Sequence, residues 1–182
     1  MRKIDFNDNF TGFEEGEDIL LDTGIILALL NQYDAWHSTV KDLFNSFIFV
    51  ETSKVTLYVH SGIINEVTFL SGRPLQTYME KYGQSYSQQD IDDAINNTLR
   101  GISELIENEI LLPLDSSKAS ILNQIRYSRY FGAMDALVVS VVEDYGISFL
   151  TVDNRLVEKI VNKDSLANIR NLYYTLPNYR DY

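Results

Sequence analysis

Two rhythms of apolar positions run through this chain. Short runs rich in branched aliphatic residues alternate with stretches in which apolar residues return every three or four positions, the marks of strands and amphipathic helices. Ile19–Leu21 reads as a strand ending in Asp22-Thr23-Gly24, and IILALLNQ after it as a short helix. Trp36, Val40, Leu43, Phe44 and Phe47 recur at helical spacing and predict a second helix. Lys54–His60 (KVTLYVH) is dense in β-branched residues and predicts a strand. Ser61 is placed to cap a helix carrying Ile63, Ile64, Val67 and Leu70, with Glu66 on it and Gly72 and Pro74 ending it.

The second half repeats the alternation. Ser87 and Asp90 have capping-box spacing, with Asp in place of the usual Glu or Gln, ahead of Ile91, Ile95, Leu99, Ile102 and Ile106 at helical steps. The opposite face of that helix carries Asp92, Asp93 and Glu107 and reads as a solvated face more readily than as a partner surface. Ile110–Leu114 predicts a short strand broken by Pro113, and Ser116–Tyr130 a helix. Ala133–Tyr145 is apolar on most sides, so it predicts a deeply buried helix stopped by Gly146. Ile147–Val152, Asn154–Val161 and Ile169–Thr175 then predict strand, helix and strand. Strands alternating with helices imply an α/β, three-layer fold whose central, mostly parallel sheet is flanked by helices. Residues 1–17 are polar, acidic and glycine-containing, and are expected to form an N-terminal extension outside the core, followed by one domain over 18–182. There is no internal repeat and no linker that would split the chain.

At 182 residues the chain is long enough for one sizeable core. The absence of Cys excludes disulfides and thiolate metal sites, and two histidines, His37 and His60, are too few for a His-rich zinc site and more readily serve packing. The N-terminus has no apolar signal region and no run is long enough to span a bilayer, so a cytoplasmic protein without a membrane role is expected. Net charge is −11 with a pI near 4.5, which argues against long-range attraction to nucleic acid. The imbalance is local: residues 1–110 hold 7 basic and 18 acidic residues, whereas 111–182 hold 8 of each. A phosphate-facing surface therefore belongs more naturally to the C-terminal half, or relies on bound metal.

Four acids stand inside or beside apolar runs: Asp22 in ILLD, Glu66 in GIINEV, Asp135 in AMDALVV and Asp153 in FLTVD. A carboxylate in such a setting must be capped, paired or bound to a cation, because desolvating an unpaired charge costs several kcal/mol or more. Taken singly, Asp22 and Asp153 are equally well explained as caps of the helices that follow them. Asp135 fits less easily, since helix interiors disfavour Asp, although a place in the first turn would suit it. Glu66 alone is ambiguous between surface and site. Brought together at the carboxyl edge of a parallel sheet, the four oxygen ligands suit Mg²⁺ or Mn²⁺, and such an ion activates water against a phosphodiester. Thr23 and Thr151, beside Asp22 and Asp153, have hydroxyls that suit bonding to those carboxylates or to a metal-bound water.

LLDTGIILALL, IINEV and MDALVVSVVEDYGISFLTVDNRL, with the spacing between them, resemble a PIN-domain nuclease, and among those the VapC-like toxin ribonucleases. The resemblance covers about residues 18–176, with a helical insertion within 71–110. It implies that Asp22, Glu66, Asp135 and Asp153 are the acidic catalytic and metal-binding residues and that Thr151 is the Ser/Thr before the last acid. It also implies Mg²⁺- or Mn²⁺-dependent cleavage of RNA, frequent homodimers and, for a toxin, an antitoxin protein partner. Gly24 stands where Asn is common in the family. The first expectation is a metal-dependent endoribonuclease, as a toxin or in RNA processing, with Arg126, Arg129, Arg155 and Lys159 as candidate phosphate contacts. Its rival is a non-catalytic RNA- or protein-binding module on the same fold. The missing GxxxxGK[ST] loop disfavours a P-loop hydrolase, and DTGII lacks the second Asp of a DxD phosphatase. Tyr173, Tyr174, Tyr179 and Tyr182 are more readily packing residues than base-stacking platforms.

Overall fold

The computed structural model describes residues 1–163 and 166–182. Among these, six strands form one sheet in the order β1-β6-β5-β2-β3-β4, every neighbouring pair parallel. The strands are β1 Arg2–Asp5, β2 Asp18–Leu21, β3 Thr56–His60, β4 Leu111–Leu114, β5 Ser148–Leu150 and β6 Asn171–Tyr174. The helices are α1 Thr23–Leu30, α2 His37–Phe47, α3 Ser61–Leu70, α4 Arg73–Tyr82, α5 Gln88–Glu107, α6 Lys118–Phe131, α7 Ala133–Tyr145 and α8 Asn154–Val161. This is the three-layer α/β architecture that the alternation predicts. Among the described residues, no helix is long and apolar enough to cross a membrane.

The core follows the apolar runs. A parallel strand covered on both faces has no polar side, so β2 and β5 read as continuous apolar stretches. Ile19, Leu20, Leu21, Phe149 and Leu150 are all at most 1% exposed. Helix α7 is buried along Ala136 and Val138–Val142, and Gly146 ends it in a left-handed conformation at φ 66°. The capping box of α5 forms as its spacing predicts, with Ser87 Oγ accepting from the Asp90 N–H at 3.2 Å and Asp90 Oδ2 accepting from the Ser87 N–H at 2.9 Å. Asp92, Asp93 and Glu107 are exposed. Pro113 is tolerated because β4 is an edge strand, where one missing donor can face away from the ladder.

Three expectations are corrected. Residues 1–17 do not lie outside the core: β1 pairs with β6, Phe6 is 4% exposed, and Glu17 is fully buried. Phe10 and Phe13 pack edge-on against Tyr173, with ring centroids at 5.9 and 4.8 Å. The polar composition of the segment concealed apolar anchors whose partners, Phe47 and Tyr173, lie far along the chain. The cap of α3 is His60 rather than Ser61, with its Nδ1 accepting from the Gly62 N–H at 3.0 Å and its Nε2 at 2.8 Å from Ser116 Oγ. Pro74 does not simply close α3; it sits in the first turn of α4, where the N–H it lacks would have had no intrahelical partner.

Candidate active site

The chain leaves β2 in one direction to build β3 and β4 and returns to place β5 and β6 on the other side. The sheet therefore has a switch point between β2 and β5, and in open α/β sheets the crevice beyond the carboxyl ends at such a point is where ligands sit. Asp22 follows β2 directly and Asp153 lies just past β5, and the two strands are locked in register by Leu21 opposite Leu150. Glu66 comes from the second turn of α3, between the fully buried Ile63 and Val67. Asp135 is in the first turn of α7. The structure brings all four acids, together with Thr23, into the wall of one open cleft of about 640 Å³.

Two threonines tie this wall together. The Thr23 hydroxyl donates to Glu66 Oε2 at 2.5 Å, while the Thr23 N–H donates to Asp22 Oδ1 at 2.8 Å. The fully buried Thr151 donates its hydroxyl to Asp22 Oδ2 at 2.5 Å and accepts from the Asp153 N–H at 3.0 Å. Asp153 caps α8, its Oδ1 accepting from the Arg155 and Leu156 N–H groups at 2.8 and 3.1 Å. Capping, the plain explanation of Asp22 and Asp153, is thus true of both. It leaves Asp153 Oδ2 and Glu66 Oε1 without a hydrogen bond from the described residues. Gly24 has a steric reason: a Cβ there would lie 2.9 Å from Val152 Cγ2, so the bare backbone lets the start of α1 close on the loop after β5.

Burial and crowding act on protonation. Asp22 is pushed up to about 7, first by burial and further by the charges of Asp153 and Glu66, against the hydrogen bonds from Thr151 and Thr23. Asp135 is also raised, again first by burial, with Asp153 and Glu66 adding to the effect and Lys159 opposing it. Lys159 Nζ stands 3.5 Å from Asp135 Oδ2 and donates to the Phe131 carbonyl at 3.1 Å. The donor set is entirely oxygen and fits a hard cation such as Mg²⁺ or Mn²⁺. As placed, however, no three His, Asp or Glu side chains among the described residues stand close enough together to hold an ion. Asp135 faces Lys159, and like charges in such a wall repel one another in the absence of a cation.

Of the expected phosphate contacts, Arg155 lines the cleft and Lys159 reaches it through Asp135. Arg126 and Arg129 are exposed on α6 and do not line it. The sequence reading missed Arg180, Asn154, Pro177 and the site-facing role of Trp36. Arg180 sits with its guanidinium carbon 5.6 Å from the Trp36 ring centroid. Its one sequence signal was a lone cation within the aromatic C-terminal segment LPNYRDY. The aromatics there are structural: Tyr182 donates to the Tyr33 carbonyl at 2.5 Å and Tyr179 to the Asn7 carbonyl at 3.3 Å.

No protein-family model and no curated protein matches the chain. Among solved structures it is similar to VapBC2 from Rickettsia felis bound to a DNA fragment from their promoter, with 12% identity and a TM-score of 0.48 over 86% of this chain and 98% of that one. At that level of likeness the functional reading rests on the site itself.

Proposed function

We propose that the chain is a metal-dependent endoribonuclease. The observation that carries this reading is the wall of four carboxylates at the switch point, Asp22, Glu66, Asp135 and Asp153, of which Asp22, Glu66 and Asp153 are linked through Thr23 and Thr151. Asp22, Asp135 and Asp153 would hold Mg²⁺ or Mn²⁺, with Glu66 as a further ligand or as the group that orients the attacking water. A bound divalent cation supplies Lewis-acid stabilisation of the phosphoryl oxygens and a more acidic water. For Asp135 to join the ion, its carboxylate turns away from Lys159, whose ammonium is then free to face a phosphate. Thr23 and Thr151 fix the rotamers of Glu66 and Asp22, so that less conformational freedom is lost when an ion binds. The family resemblance extends this reading to a toxin with an antitoxin partner and to a homodimer, for which light scattering and co-purification are the direct measurements.

The test is cleavage of single-stranded RNA in Mg²⁺ or Mn²⁺. Asp135→Asn should lose at least about 100-fold in rate, beyond what loss of an outer hydrogen-bonding group costs, while keeping its thermal unfolding transition. A binding module without catalysis would instead show no cleavage in either protein and no metal-dependent rise in melting temperature.

A further inference from the structure

Beside the cleft of the four acids lies a second cavity of about 250 Å³, and Trp36 and Arg180 stand in the walls of both. The second cavity differs in charge from the first. Arg73 and Arg180 line it, and its one lining carboxylate, Asp34, already accepts a hydrogen bond from the Trp36 N–H at 2.8 Å. Arg180 makes no ion pair within 4 Å among the described residues, although its charge acts on Asp34 in the same cavity. It is nevertheless firmly placed. The next residue, Asp181, donates its N–H to the Ala35 carbonyl at 2.8 Å; the Thr39 hydroxyl donates to the Tyr179 carbonyl at 2.5 Å; and the Tyr182 ring packs against Tyr78 and Tyr82 at 5.8 and 5.7 Å. The C-terminal segment is thus a strap that holds Arg180, free of any ion pair within 4 Å among the described residues, at the lip of an acidic cleft.

We infer that this strap and the start of α4 form a phosphate-binding groove for the single-stranded RNA on one side of the scissile bond, with Arg180 holding the nearer backbone phosphate and Arg73 a further one. The inference rests on the nuclease reading, because a strand whose scissile phosphate lies among the acids must lead its neighbouring phosphates out of the cleft. Planar guanidinium groups match phosphate oxygens in pairs, and a pre-placed one loses little freedom on binding. Two arginines flanking an otherwise acid-poor cavity suit a polyanion and not an acidic site's own cation.

The test is fluorescence anisotropy of a labelled twelve-nucleotide single-stranded RNA in Ca²⁺, chosen to slow cleavage, across a KCl series. Arg180→Gln and, separately, Arg73→Gln should each reduce the slope of log K against log salt by about 0.7, the value for one phosphate contact on a single strand. Arg180→Lys should keep the slope, and a dinucleotide with one phosphate should bind wild type and Arg180→Gln alike. An unchanged slope in Arg180→Gln, an equal loss for the dinucleotide, or no measurable RNA binding by wild type would overturn the groove. Cleavage in Mn²⁺ is scored separately. RNA cut with unchanged slopes sinks the groove alone, whereas altered slopes without cleavage sink the nuclease reading and leave the groove standing.

Discussion

Asp22 joins three roles in one side chain: it caps α1, anchors Thr151 and crowds against Glu66 and Asp153. The consequence is a metal-free protein whose stability depends on pH in an unusual direction. Its carboxyl is raised from 3.8 to about 7, so the native state holds more protons than the unfolded chain between those values. Stability from this group is therefore greatest below about pH 4, falls as pH rises through the window, and levels off above about 7. Asp22→Asn keeps an oxygen for the Thr23 N–H and removes the buried charge. In chelator it should melt higher than wild type by a few degrees at pH 7.5, with a difference that grows from pH 4 to pH 7. Adding Mn²⁺ should reverse the order, since only wild type gains a ligand. Differential scanning calorimetry at several pH values decides the matter; a variant less stable than wild type in chelator at pH 7.5 would show that the charge is not strained.

At the level of elements, what the sequence disclosed was local. Short apolar runs and helical repeats placed the central strands and their helices, because each such element carries the apolar residues it buries. Asp22 and Asp153 are expected at one edge because strand ends in a parallel sheet share it, whereas Glu66 and Asp135 lie on helices and in the sequence are joined to them only by the family resemblance. What stayed hidden depends on partners distant in sequence. Residues 1–17 look dispensable until Phe6, Phe10 and Phe13 meet the sheet, and Arg180 looks like tail until the strap bends back onto Ala35. Glu17 shows this best, because no spacing rule reveals a buried carboxylate of this kind. It accepts from the Ser148 hydroxyl, from Asn171 Nδ2 at 2.6 Å, from the Tyr173 hydroxyl at 2.6 Å and from the Glu14 N–H at 3.0 Å. These partners begin β5 and β6, so Glu17 stitches the N-terminal segment to the amino edge of the sheet, opposite the cleft. Glu17→Ala strands several buried donors and should cost about 3 kcal/mol or more in urea unfolding, with Glu17→Gln costing less. Metal binding at the far edge should be unchanged in the soluble variant. A loss below about 1 kcal/mol would mean that the segment is held by its phenylalanines alone.

If the proposed nuclease reading holds, the whole molecule sets the conditions under which the cleft can meet RNA. A chain with a net charge of −11 repels a polyanion at long range, and the acids in the cleft wall repel it again at contact. Local features could oppose this: Arg155 and Arg180 at the cleft, and, on the proposed reading, Lys159 if Asp135 turns from it and a divalent ion if the carboxylates bind one. On that reading the ion would matter most, because it would replace repulsion with attraction where a scissile phosphate would sit. RNA affinity should therefore fall at least about tenfold when Ca²⁺ is replaced by chelator at constant ionic strength, since close like charges each cost on the order of 1 kcal/mol or more at a partly screened surface. The same loss should follow acidification through about pH 7 in Ca²⁺, because protonating Asp22 competes with the ion. Arg126→Ala with Arg129→Ala tests the limits of the contact surface: if the RNA follows the cleft alone, that pair on the exposed face of α6 changes neither the affinity nor the salt slope. Equal affinity in Ca²⁺ and in chelator would show that RNA is held elsewhere on the molecule and that the acidic cleft serves a different ligand.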